Sequence, residues 1–255
     1  MYRIMKTSKC TFFLITILTL VWMTPEAGFS QQTGDTPRGI PVSAGISLAN
    51  EGISIIPAFS LGEPAVLTNF SAGKRFRFEP EFYFSTKGDP WAFLLWLRYD
   101  LVRHERFSFR IGMHPGYTFL KSEGNGVETV TEVVKILAGE LSVRYQFTDR
   151  FDMGLYYLRG GAQDGASPQE SHFLSLSSVL PSLHLMGGVR LSVLPQFYYL
   201  KLDDSDGFYA AATTTLAKEG FPVTLSSVIN KIIDSDITGN ADPLWNISLN
   251  YSIQF

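Results

Sequence analysis

The chain has 255 residues, of which 45% are hydrophobic and 14% aromatic, and a formal charge of -3. That is apolar material enough for a folded domain, and a balance far from the basic excess of nucleic-acid binders. One cysteine, Cys10, excludes an internal disulfide framework and a multi-cysteine metal cluster.

Residues 1–9 carry Arg3, Lys6 and Lys9. Residues 10–22, CTFFLITILTLVW, form an apolar run shorter than a comfortable bilayer span. TPEAGFS follows, with Gly28 and Ser30 in a small-x-small arrangement before Gln31. The pattern predicts a secretory signal peptide over 1–30, the alternative being an uncleaved anchor. Cys10 stands at the start of the apolar run, not after it, and is misplaced for lipoprotein acylation. Cleavage near Ser30 leaves a cysteine-free chain of charge about -5.

The remainder, 31–255, reads as one domain built on a period of two. No later stretch reaches the apolar length of a membrane helix. In 76–84, Phe76, Phe78, Phe82 and Phe84 oppose Arg77, Glu79 and Glu81. In 91–101, Trp91, Phe93, Leu95, Leu97, Tyr99 and Leu101 alternate with Arg98 and Asp100 among others. Phe107, Phe109, Ile111 and Met113 alternate with Ser108, Arg110, Gly112 and His114. Leu141, Val143, Tyr145 and Phe147 alternate with Ser142, Arg144 and Gln146. In 183–199, a leucine- and valine-rich face opposes His184, Arg190, Ser192 and Gln196. The end is clearest: Trp245, Ile247, Leu249, Tyr251, Ile253 and Phe255 share one face, and Asn246, Ser248, Asn250, Ser252 and Gln254 the other. Successive side chains of a strand point to opposite faces, whereas a helix would mix the two sets.

Strands are predicted at about 42–49, 52–71, 75–86, 90–102, 107–120, 130–147, 151–159, 171–180, 183–201, 208–217, 221–230 and 243–255. The 52–71 segment has a break at 61–65 as one option, and a first strand at 51–60 followed by LGEPAV as an outer loop as another. Residues 225–233 have a short helix as their alternative. Short connections (103–106, 148–150, 181–182, 217–220) alternate with longer or more polar ones (86–90, 121–130, 160–171, 202–207, 231–242).

Such strands build either a soluble barrel or sandwich, apolar face inward, or a membrane barrel, apolar face outward. The apolar faces are crowded with large rings, more than a small soluble barrel can enclose, although a sandwich has room for them. Aromatic residues near strand ends (Trp91 and Tyr99, Tyr145 and Phe147, Trp245 and Phe255) fit interfacial girdles. The prediction is therefore an all-β fold: a closed antiparallel transmembrane β-barrel of about twelve strands, ten being the alternative count, with short periplasmic turns and longer outer loops.

With its signal peptide, alternating strands, loop rhythm and terminal Phe255, the mature chain from about residue 42 resembles the outer-membrane β-barrel proteins of Gram-negative bacteria. The resemblance implies an outer-membrane location after export, membrane lipid as surroundings, and Tyr251, Ile253 and Phe255 as the signal read by the barrel assembly machinery. It implies no activity, because one barrel architecture hosts many tasks.

Inward parity makes Arg77, Glu79, Glu81, Arg98, Asp100, Arg110, His114, Glu140, Arg144, Asp152, His184 and Arg190 lumen-lining. Inverted parity would put the arginines in hydrocarbon at about 2–4 kcal/mol each near the midplane. The two signs balance, which points to mutual pairing rather than ion selectivity. Four prolines (Pro57, Pro80, Pro115, Pro195) interrupt predicted strands, and Lys135 and Arg159 fall on the lipid-facing parity near strand ends.

Chemistry is sparsely signalled. His172 and Ser175, in SHFLSLSS, are three apart and so on opposite faces of a strand, which argues against a dyad unless a bulge intervenes. Acidic loops (Asp203, Asp204, Asp206; Asp234, Asp236, Asp242) lack the spacing of a calcium loop and read as solvated charge. No catalytic set, metal site or cofactor is predicted. The leading expectation is a non-enzymatic barrel, either a pore or binding barrel for a small polar solute or a structural membrane protein. The alternatives are a barrel-wall lipid hydrolase and a secreted soluble carrier of apolar ligands.

Overall fold

The computed structural model describes residues 39–123, 129–149, 151–166 and 168–255. The expected signal peptide, 1–30, lies outside the described residues.

Thirteen strands are found among the described residues: β1 (Val42–Ala49), β2 (Ala65–Gly73), β3 (Phe76–Ser85), β4 (Pro90–Arg103), β5 (Phe107–Glu123), β6 (Thr129–Thr148), β7 (Phe151–Ala162), β8 (Ser171–Ser177), β9 (Leu183–His184), β10 (Val189–Leu202), β11 (Ser205–Lys218), β12 (Val223–Ser235) and β13 (Leu244–Gln254). Sequential neighbours pair antiparallel, and β1 pairs with β13, so the sheet closes on itself. β8 and the two-residue β9 both pair with β10 and occupy one position in the wall. The result is a closed barrel of twelve strand positions. Closure leaves no edge for another chain to extend.

The alternation places the apolar face outside. Ile46, Leu97, Leu141, Leu155, Leu249 and Tyr251 are exposed on the outer wall, while Ser47, Arg98, Glu140 and Asn246 are buried inside. A water-soluble barrel has the reverse arrangement. Residues 225–233 belong to β12, with no helix. Lys135 and Arg159 face outward and meet Asp164 at 3.7 Å and Glu170 at 2.7 Å.

Several boundaries differ from the predicted ones. The segment 183–201 is not one strand. His184 pairs with Arg190 across a turn at Met186–Gly188, where Gly187 and Gly188 take positive φ (72° and 74°) that other residues resist. The periplasmic turn is therefore here and not at 181–182. At the opposite end, Leu202 pairs with Ser205, so the expected longer loop at 202–207 is a two-residue turn, with Asp203 at φ 50°. Pro80 and Pro115 face outward within ladders that lose the adjacent pairs but resume in the same register. Pro57 lies outside every strand.

The largest departure is at 50–64, where much of a strand was expected. The segment is an outer-end connection folded back into the barrel. Ile53 bridges Ser60, Ser54 N–H donates to Phe59 O (3.1 Å), and Leu61 and Gly62 N–H donate to Gly52 O and Glu51 O (both 3.2 Å). This small hairpin buries Ile53, Ile55, Ile56, Ala58 and Phe59. Trp91, expected in an outer girdle, is 2% exposed and lies inside with it.

Candidate functional site

The lumen has three zones. The outer half is dry. The hairpin side chains Ile55, Ile56, Ala58 and Phe59 join one buried cluster with Leu67, Tyr83, Trp91, Trp96, Phe173, Tyr198, Leu200 and Tyr209. Tyr198 and Tyr209 stack at 4.8 Å with 5° between their rings. Asn246 Oδ1, on the inner face of β13, accepts the Glu51 N–H (3.2 Å) at the hairpin's neck. The burial of so much apolar surface is what holds the hairpin in.

Below it, strands β3 to β7 present a charged arc. Arg77 donates to Glu79 (2.8 Å) and Asp100 (2.8 Å). Arg98 donates to Glu79 (2.6 Å) and, through two nitrogens, to Glu140 (2.8 and 3.2 Å), while its guanidinium lies 4.2 Å from the Trp96 ring centroid. Arg103 and Arg110 converge on Asp100 (2.6 and 2.8 Å), and Tyr156 OH donates to Glu140 (2.8 Å). Glu81 accepts from Tyr83 OH. Nearer the periplasmic end Arg144 donates to Asp152 (2.5 Å). Room for this arc comes from a glycine: a Cβ at Gly112 would stand 2.7 Å from Glu140 Oε1 and 3.0 Å from Arg98 Cγ.

The rest of the periplasmic half, from β11 round to β2, is lined by neutral polar groups. Thr213, Thr215, Thr224, Ser226, Ser248 and Asn250 face inward and are partly exposed. Among them, Thr215 and Ser226 hydroxyls meet at 3.1 Å and Asn250 Nδ2 donates to Ser226 (3.1 Å). This zone is a vestibule with one paired, largely buried charged wall and one partly exposed hydroxyl and amide wall.

All twelve sequence-predicted lumen residues sit on the inward register. The structure brings Arg77, Glu79, Arg98, Asp100, Arg110 and Glu140 into one network, with Glu81 beside it. Arg144 and Asp152 form a separate pair. His184 and Arg190 face each other across β9 and β10 at the periplasmic mouth. His114 is not with the ions; it is fully buried with its ring 4.1 Å from that of Trp96. Sequence reading missed the hairpin and Trp96, whose inward parity is shared with Arg98.

His172 and Ser175 do not form a dyad: Ser175 points inward and His172 outward. On the outer wall the His172 ring meets Tyr157 OH (2.7 Å) and Glu170 (3.1 Å). Among the described residues no group of three or more His, Cys, Asp or Glu is arranged to hold a metal ion.

Apolar wall outside, ions and hydroxyls inside, and a seam closed by the first and last strands leave one architecture. The fold is that of an outer-membrane β-barrel. No protein family and no curated protein matches the chain. Among solved structures it is similar to the NanC porin, with 12% identity, 85% of this chain and 99% of that one covered, and a TM-score of 0.45. It is similar to an outer membrane channel from Pseudomonas putida F1 (10% identity, 88% and 98% covered, TM-score 0.46) and to LpxR from Salmonella typhimurium (13%, 82% and 99%, 0.46). Such distant likenesses assign no activity, and the barrel's own geometry carries the reading.

Proposed function

We propose that the protein is an outer-membrane barrel for small polar solutes, held closed by its own β1–β2 hairpin. The observation that carries this is the burial of Ile53, Ile55, Ile56, Ala58 and Phe59 within the barrel, above a vestibule whose walls are polar. A purely structural barrel has no need of a vestibule of this kind. An open porin has no apolar hairpin across its outer half. On this reading solute enters from either side only when the hairpin yields, and Tyr251, Ile253 and Phe255, on the outer face of the last strand, address the chain to the assembly machinery. The test is conductance in planar bilayers. The intact protein is expected to be silent, and replacement of Ile53–Ser60 by a Gly-Gly link is expected to give steady current. Sustained current through the intact protein, equal to that of the shortened one, would refute the proposal.

A further inference from the structure

The lumen around the hairpin carries, on two opposite sides, hydrogen-bonding groups that the hairpin does not satisfy. Trp96 Nε1, Thr118 Oγ1 and Asn230 Nδ2 are sealed from water and have no hydrogen-bond partner, and the His114 ring beside Trp96 is equally buried. All four residues are at most 1% exposed. Buried polar groups are ordinarily paired, so orphans facing one another from opposite sides of one lumen call for a reason. All four project inward, from β4, β5 and β12. On the β12 side Tyr198 links Asn230 to the hairpin, donating its hydroxyl to Asn230 Oδ1 (2.7 Å) and contacting the Ala58 backbone.

We infer that the space now filled by the hairpin is a binding site for a neutral, hydroxyl-rich solute, a short saccharide, which takes the hairpin's place when the barrel opens. This rests on the reading of the hairpin as a displaceable plug, and three features choose the ligand class. First, an indole N–H, a hydroxyl, a carboxamide N–H and an imidazole offer donors and acceptors to uncharged partners, and an apolar occupant leaves them as unpaired as the hairpin does. Second, the nearest ions are already committed: Arg98 to Glu79 and Glu140, and Glu81 to Tyr83. A charged solute therefore meets no free counter-charge among these residues. Third, the same space is walled by the rings of Tyr83, Trp91, Trp96, Tyr198 and Tyr209, large flat apolar faces with polar tips, against which the C–H face of a sugar ring packs. The hydroxyl and amide wall of the vestibule continues the same uncharged chemistry towards the periplasm.

The experiment uses the full barrel with Ile53–Ser60 replaced by Gly-Gly, its folding checked by the mobility difference between unboiled and boiled samples. Maltotriose is expected to interrupt the current at millimolar concentration, and citrate at the same concentration to leave it unchanged. Thr118→Val and Trp96→Phe in this background are expected to weaken the sugar block roughly tenfold each. An open barrel indifferent to maltotriose, or blocked equally by citrate, overturns the inference while leaving the plug intact as a reading. A folded shortened barrel that stays closed overturns the plug, and the site with it. If the shortened chain does not fold, full-length Ile56→Ser/Phe59→Ser, which loosens the hairpin's grip without removing it, is measured in the same way, and each outcome carries the same meaning.

Discussion

Arg98 is the residue on which the charged arc turns. It is the shared partner of Glu79 and Glu140, and it covers the face of Trp96. A buried pair adds little over apolar packing, but removing one partner strands the other's charge. Arg98→Met is therefore expected to destabilise the barrel by about 3–5 kcal/mol in urea titrations of detergent-refolded protein, and Arg98→Met/Glu140→Gln to recover part of that loss. An equal loss in the single and double variants would show that packing against Trp96 matters and the charge does not. The neighbouring glycine gives a second, independent check. Gly112→Ala forces a methyl group against Glu140 and Arg98, at an expected cost of about 1–3 kcal/mol. Gly139→Ala faces outward, its nearest neighbour being Gly112 O at 3.8 Å, and is expected to stay within about 0.5 kcal/mol of the parent. Alternation alone places Arg98 inside. What alternation does not show is that Arg98 is shared by two carboxylates, because pairing across strands depends on register, which the period of two leaves open.

Among the elements, strands are legible in the sequence and the hairpin is not, for a physical reason. Ile53 and Ile55 alternate with Ser54 as strand residues do, and burial in lipid or in a lumen leaves the same apolar signature in sequence. Only the third dimension separates them. The glycine pair in LMGGV, by contrast, does mark its turn, and it is the signal that a single strand over 183–201 leaves unexplained. The outer end of β12 offers an element with a pH signature. Asp242 accepts from Lys231 Nζ (2.6 Å) and from the Ile232 N–H (3.1 Å), tying the β12–β13 loop to the wall. The Lys231 hydrogen bond holds its carboxyl below the usual aspartate range. A carboxyl lowered in the folded state lends its stabilisation above the ordinary value and loses it as pH falls through the lowered one. Loop cleavage by an acid-stable protease is thus expected to rise as pH drops from neutral to about 3. Asp242→Asn should show the raised cleavage already at neutral pH, with little further change on acidification. A parent loop whose cleavage ignores pH would mean the carboxylate does not hold it.

At the scale of the whole molecule a single choice of face governs the rest. With the apolar set outside, the mid-wall ions of the strands turn inward and pair along one arc, while the opposite arc carries neutral hydroxyl and amide groups. The seam obeys the same logic: Phe255 N–H donates to Val42 O (2.9 Å) while its ring remains 77% exposed on the lipid side. This choice is open to a direct measurement. Leu141 sits mid-strand on β6 and is 45% exposed on the outer wall, whereas Thr215 lies partly exposed on the inner wall of β11. In lipid, Leu141→Arg puts a guanidinium into hydrocarbon and is expected to cost about 2–4 kcal/mol of folding free energy, while Thr215→Arg reaches vestibule water and should cost less than about 1 kcal/mol. In a water-soluble barrel the order would reverse, since the guanidinium introduced at position 141 would be hydrated and the one at position 215 buried. Reversible folding into short-chain lipid vesicles, followed by gel mobility against urea, reads both costs on one scale, and finding the inner substitution the more damaging would turn the molecule inside out.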